Sequence, residues 1–495
     1  MTREAFLGID LGTTRTKVGL LTADGEPLGF GRSTHAMDVD PSIGRAEQDP
    51  EAWWAGLGAA VREAMAAAGG RASRGAAVEP VAICVVGHGP TLTAVDAEGR
   101  PVRPAITWLD TRASREQAEL ESATGLRGWA LGVLPAALWL ERHEPEAAAR
   151  SRWYLNSWEA LALRLSGEAA ATVVPGAAGV WRETPGPTPP DLDRVAPEVS
   201  AGTVLGGLTA EAADHLGLPV GIPVVAGLVD AFASFHGARM LEPGDAIDVG
   251  GAAGGFGVYA IEAVQVAGGF TTPAPLPGLY SVGGAMAATG AALDWFSSDV
   301  LGGSYQIDDL IDAAAVLEPG SEGLIFLPYL AGERSPLWDP TARGAFAGLT
   351  LRHGRAHLVR AILEAAALAI RHVAEPMLAA GLEVRAMRAC GGPSRSEAWN
   401  QIKADVTGFS VEVPRVRETA AVGAAIVAAV GAGTHPDLPA GIRAMTAIDR
   451  RVEPDAERQR TYDRVYEAYV ELHPAISPVM RRLDRAASAS PVGSA

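Results

Sequence analysis

Hydrophobic positions recur along the chain at two alternating periods, one near 2 and one near 3.6. Close to the N-terminus, the apolar runs Phe6–Ile9 and Val18–Leu21 flank the turn Gly12-Thr13-Thr14, and Asp24-Gly25 then predicts a hairpin. Between Pro50 and Ala68, Trp53, Trp54, Leu57 and Val61 share one helical face, with Pro50 in the first turn. Val81–Val86 reads as a buried strand, and Leu92–Val95 precedes a turn at Ala97-Glu98-Gly99. Pro185–Pro190 predicts a surface loop. The order is one of strand meanders with helices appended, not a strict strand–helix alternation.

The pattern then repeats. Ile222–Ala226 predicts a strand that opens directly into a helix from Asp230 to Ala238, and Ala246–Val249, a Gly-rich turn and Gly257–Ile261 restate the opening strand–turn–strand logic. Leu358, Ile362, Ala366 and Ala369 form a helical stripe, and Ala386–Cys390 leads through Gly391-Gly392-Pro393-Ser394 into a helix from about Ser396. Tyr462, Val465, Tyr466 and Tyr469 share one face of a late helix, and the tail from Ala486 is expected to be disordered. These periods describe an α/β chain of two domains of similar plan, with a boundary near residues 240–245. The length of 495 residues accommodates two such domains, each large enough to bury its own core.

Charge narrows the partners. Lys and Arg number 41 against 58 Asp and Glu, a formal −17, so nucleic acid and acidic membrane surfaces would be repelled over most of the surface and are not expected as main partners, while a local patch can still hold one phosphate. Cys84 and Cys390 lie far apart among apolar or Gly neighbours, which gives neither a disulfide framework nor a Cys-rich zinc site. The N-terminus lacks the apolar run of a signal peptide. The longest uncharged stretch, Ala263–Leu293, is broken by Pro273, Pro275 and Pro277, and Thr419–Pro436 suits a buried helix better than a membrane span. A cytoplasmic location follows as the expectation.

Phosphate binding needs backbone N–H groups converging at tight turns. A Walker A loop is absent, because the only lysines are Lys17 and Lys403, and neither follows Gly; G-x-G-x-x-G is absent as well. There remains Asp10-Leu11-Gly12-Thr13-Thr14, in which a strand-end carboxylate could hold hydrated Mg²⁺ while the turn faces phosphate; read locally, it is equally a hairpin turn. Asp230 reads locally either as a helix N-cap or as a general base. His88, in Gly87-His88-Gly89-Pro90, is a loop histidine or a hydrogen-bonding group for a polyol. Trp108-Leu109-Asp110-Thr111-Arg112 offers a plate, a carboxylate and a guanidinium to a sugar, or a core Trp beside an ion pair.

The order of the blocks carries more than any one of them. GIDLGTTRTKVGL, EQDPEAWW, PAITWLDTRA, GLVDAFASFHGA, LPYLAGERSPLWDPTARGAFAGL and CGGPSRSEAW together resemble the FGGY carbohydrate kinases, with a xylulokinase-like look, over nearly the whole chain. The resemblance implies two actin-like (ribonuclease-H-like) domains with an interdomain cleft: residues 1–243 on the sugar side with the base, residues 244–484 on the nucleotide side, and 485–495 as tail. It implies transfer of the γ-phosphate of Mg-ATP to a hydroxyl of a ketose or polyol. Carried over by position, Asp10 is the Mg²⁺-associated carboxylate, Thr13 and Thr14 the first phosphate turn, and Asp230 the catalytic base. Gly250 and Gly251 fall at the second phosphate turn, Gly290 and Asp294 at the nucleotide, and Gly391, Gly392 and Ser396 in the adenosine loop; His88, Trp108 and Asp110 fall on the sugar side. A homodimer is left open.

Two departures stand out. The second phosphate turn usually reads Gly-Thr-Ser or Gly-Thr-Gly but here is Gly250-Gly251-Ala252, removing a hydroxyl contact worth about 0.5–3 kcal/mol. Where xylulokinases carry a Met-His pair in the sugar loop, this chain has Gly89-Pro90. The competing readings are a nucleotide-dependent machine of the same superfold, akin to actin, and a catalytically weak, sugar-responsive binding protein.

Overall fold

The computed structural model describes residues 2–71, 77–173 and 191–489, and it divides into two compact units. Unit one comprises 1–239, 275–277 and 418–447; unit two comprises 240–274, 278–417 and 448–495.

Unit one is built on a six-stranded sheet of Arg3–Leu11 (β1), Arg15–Leu21 (β2), Pro27–Thr34 (β3), Val78–Gly87 (β4), Val204–Gly207 (β5) and Pro223–Val225 (β6), in the order β5-β6-β4-β1-β2-β3. β1 runs parallel to β4 and antiparallel to β2. Because β1 is covered on both faces, it is buried almost continuously and reads as an apolar run rather than an alternation. Its residues Ala5, Leu7, Ile9 and Leu11 pack with Trp53, Leu57 and Val61 of the helix Pro50–Arg71. The next residues along, Phe6, Gly8 and Asp10, point to the other face by the strand period. There the helix Thr419–Gly431 lies so close that a Cβ on Gly8 would sit 2.0 Å from the Ala421 carbonyl oxygen.

Unit two repeats the plan. Asp245–Gly250 (β7), Gly254–Ala260 (β8), Phe270–Pro273 (β9), Tyr280–Met286 (β10), Ala386–Gly391 (β11), Val411–Pro414 (β12) and Ile448–Val452 (β13) form a sheet of order β9-β10-β8-β7-β11-β12-β13. The central five, β10-β8-β7-β11-β12, match β3-β2-β1-β4-β6 in sequence order and in strand direction. The helix Arg355–Ala379 covers one face through Ala369, Ile370, Val373 and Met377.

The units are not two consecutive halves of the chain, as the pattern suggested. The break at 239/240 falls beside the expected boundary, but 418–447 rejoins unit one. The reason is packing: Thr419–Gly431 is buried all round, and β1 together with the helix Asp230–Gly237 supplies the surfaces that cover it. The final helix runs from Ala456 to Ala489, past the point where a disordered tail was expected; residues 490–495 and the Pro185–Pro190 segment lie outside the described residues. Among the described residues no helix is long and apolar enough to cross a membrane.

Candidate active site

In unit one the candidate residues gather where open α/β sheets bind ligands, beyond the carboxyl ends of parallel strands. Asp10 lies near the end of β1, His88 follows β4, and Asp230 follows β6. Short backbone bonds tie the three junctions together: His88 N donates to the Leu11 carbonyl at 2.9 Å, and Gly87 N donates to the Leu228 carbonyl at 3.3 Å.

Asp10 is 4% exposed and stands opposite Lys17 in the β1–β2 ladder, with the ammonium 3.4 Å from Oδ2. Burial pushes the Asp10 carboxyl above the usual carboxylate range, and Lys17 opposes that shift. Asp230 is the first residue of its helix rather than the cap, a place taken by Val229. Among the described residues, Asp230 Oδ1 accepts from the adjacent Ala231 N, at 2.7 Å, which is not the bond to the second or third helical N–H that defines a side-chain cap. Burial first, and then the negative charge of Asp10, push the Asp230 carboxyl up to about 7. Two carboxylates thus face one amine at the end of the sheet.

The Gly12-Thr13-Thr14 turn is braced by side chains from three other segments. Trp108 Nε1 donates to Thr13 Oγ1 at 3.2 Å, Gln48 Nε2 donates to the Thr13 carbonyl at 2.6 Å, and His35 Nε2 meets the Gly12 carbonyl at 3.0 Å. Thr14 is exposed at the tip of the turn. His88 is buried, its Nδ1 against Thr91 Oγ1 at 2.9 Å and its ring 5.5 Å from that of Trp53, while Nε2 has no hydrogen-bond partner among the described residues. Burial, with a smaller push from His35, lowers its pKa to about 3, so the ring is neutral near pH 7. Asp110 is not an open carboxylate. It accepts from Ala46 N and from Arg112 N, Nε and Nη2, and so fixes its own loop. Arg112 is shared with Glu47 and stacks 4.3 Å over Trp139.

In unit two the candidate glycines meet at the ends of β7 and β11, where Gly250 and Gly391 are register partners. The Gly290 and Ala291 amides, at the start of the helix Thr289–Trp295, donate to the Gly251 and Ala252 carbonyls at 3.1 and 2.9 Å. A Cβ on Gly290 would fall 2.2 Å from the Gly251 oxygen, so glycine is required for this approach. Ser396 caps the helix Glu397–Thr407 by accepting from Trp399 N at 3.1 Å. Gly392 is exposed beside it, and Asp294 is exposed one turn into its own helix.

Sequence reasoning noted Lys17 only in excluding a Walker loop, and it missed Gln48 and Glu333. Finding Lys17 requires the β1–β2 register. Glu333 is buried, accepts from Ala287 N at 2.9 Å and Arg334 N at 2.7 Å, and is raised by burial to about 7; Arg334 Nη2 donates to the Met286 carbonyl at 2.7 Å. These bonds strap the segment that leads to Gly290.

The two units share one ribonuclease-H-like plan, each with an Asp-x-Gly sequence at the end of its central strand. The N-terminal domain model of the FGGY family of carbohydrate kinases matches residues 5–178, and the C-terminal domain model matches residues 251–432. The xylulose kinase of Escherichia coli (strain K12) is 31% identical, across 96% of this chain and 100% of that protein. The glycerol kinase of Citrifermentans bemidjiense is 32% identical, across 92% and 96%. The crystal structure of xylulose kinase from Rhodospirillum rubrum superposes with a TM-score of 0.78 at 31% identity, across 96% of this chain and 100% of that one. The chain belongs to the FGGY family of carbohydrate kinases and is an ATP-dependent sugar kinase.

Proposed function

We propose that this kinase phosphorylates a ketose or polyol, xylulose being the first to test, with Asp230 as the general base. The observation that carries this reading is the Asp10–Lys17–Asp230 group: a carboxylate at a helix start, free of any capping bond and raised toward neutrality by burial and a second carboxylate. Such a group orients a sugar hydroxyl and takes its proton late in the transfer to phosphorus. Thr13 and Thr14 offer hydroxyls and amides to phosphate, and Lys17 adds a positive charge. In unit two the Gly250-Gly251 turn, Gly290, Asp294, Gly391, Gly392 and Ser396 would line the nucleotide. His88, with its unpartnered Nε2, and Trp108 would meet the sugar, and Asp110 would hold their loop in place.

The residues fit a magnesium ion. Two carboxylates against one amine leave negative charge that a divalent cation relieves, and one or two carboxylates plus phosphate oxygens are the usual Mg²⁺ environment. Held by Asp10 and the phosphates, the ion would neutralise charge on the transferring group. Buried Cys84 and Cys390 suit the reducing cytoplasm.

A coupled ADP-release assay across ketoses and alditols tests the reading. Turnover that appears only with a sugar supports it, and Asp10→Asn should then lower kcat and alter the Mg²⁺ dependence. ADP release that is identical with and without every sugar would overturn it.

A further inference from the structure

The turn Gly250-Gly251-Ala252 has a charge beneath it that the mechanism does not use. Two residues upstream in β7, Asp248 is 3% exposed and forms an ion pair with Lys403, 2% exposed, from the helix Glu397–Thr407. The ammonium also lies 5.5 Å from the centroid of the Trp399 ring. Both units therefore carry the same order at the end of the central strand, Asp10-Leu11-Gly12 and Asp248-Val249-Gly250. Their cations differ. The Lys17 side chain is 42% exposed and stands off at 3.4 Å, whereas Lys403 is sealed in the core directly against its carboxylate.

Stability does not account for a sealed pair of this kind, because apolar residues of similar volume usually serve a core as well or better. Charge does. A bare carboxylate two residues from a phosphate-binding turn, in a medium of low dielectric, would repel a nucleotide that carries several negative charges. We propose that Lys403 is a positioning residue that cancels the charge of Asp248, so that the second Asp-x-Gly turn receives phosphate while only the first keeps a carboxylate open to a cation. This rests on reading Gly250–Ala252 as a phosphate turn.

The test is the affinity for Mg-ADP, measured by calorimetry on Lys403→Met, Asp248→Asn and the double variant, with thermal melting to confirm folding. Lys403→Met should raise Kd on the order of tenfold. Asp248→Asn, which leaves the cation uncompensated, should lower Kd, and the double variant should return near the wild type. A purely structural pair would lower the melting temperature of both single variants without moving Kd in opposite directions, and that result overturns the proposal. Should Lys403→Met fail to fold, Asp248→Asn decides: a lower Kd supports the proposal, and a higher or unchanged one refutes it. Gly251→Asp separates the two levels. If it leaves Kd unchanged, the turn itself has been misread; if it raises Kd while Lys403→Met does not, the inference about Lys403 alone fails.

Discussion

At the scale of the residue, Asp230 concentrates a conflict between stability and chemistry. Its carboxyl is raised to about 7, chiefly by burial, so the folded state binds a proton that the unfolded chain releases near the ordinary carboxylate pKa of about 4. The stability gained from that proton is complete at low pH and is lost as pH rises through the folded value. Asp230→Asn should therefore melt increasingly above the wild type between pH 4 and pH 8, as scanning calorimetry at several pH values would show. The same substitution should lower kcat by about 10²–10⁴-fold, the usual share of a general base, while sugar binding persists. In the wild type the acidic limb of kcat/KM should lie well above the normal carboxylate range. A variant that turns over at the wild-type rate would leave Asp230 no role in catalysis.

Among the elements, the turns and the helices that press on them decide what the site tolerates. Gly251 does not have a left-handed backbone, and a Cβ there would lie 3.3 Å from the Ala253 oxygen, a tight but adjustable contact. Gly251→Thr should consequently fold and bind Mg-ADP more tightly, by up to the worth of one hydrogen bond to a charged acceptor, about 0.5–3 kcal/mol; a weaker Kd would mean that the turn makes no use of a hydroxyl. Gly8 in β1 differs, because its missing Cβ admits the backbone of the helix Thr419–Gly431. Gly8→Ala cannot be relieved by a rotamer change and should cost about 1–3 kcal/mol or more, the range for overpacking, read as a shift in the denaturant midpoint. That helix also meets the helix Asp230–Gly237, which carries the proposed base, through Ala233, Gly237, Thr419 and Gly423, so displacing it should lower kcat as well as stability.

For the whole molecule, unit one is closed by a segment that arrives after about 180 intervening residues, on the count from 239 to 418. Residues 1–243 expressed alone would lack Thr419–Gly431 and expose the apolar face of β1 and β4. Such a fragment should show no cooperative thermal transition, and appending residues 418–447 through a flexible linker should restore one. A cooperative, monomeric 1–243 fragment would show that the returning helix is dispensable.

Much of this was written locally. The strand–turn–strand openings at Asp10 and Asp248, the amphipathic helix from Pro50 and the strand that opens into Asp230 depend on neighbouring residues, and their periods are visible in one dimension. The ordered blocks were enough to indicate the kinase family. What the sequence could not determine depends on contacts between distant segments. The Asp10–Lys17 pairing needs a strand register, and the engagement of Asp110 by Ala46 and Arg112 needs two loops side by side. The Lys403–Asp248 pair joins residues 155 apart, and the all-apolar helix at 419–431 carries no mark of the sheet it covers. Tertiary structure alone decided these, because burial and electrostatic coupling act through space and leave no period along the chain.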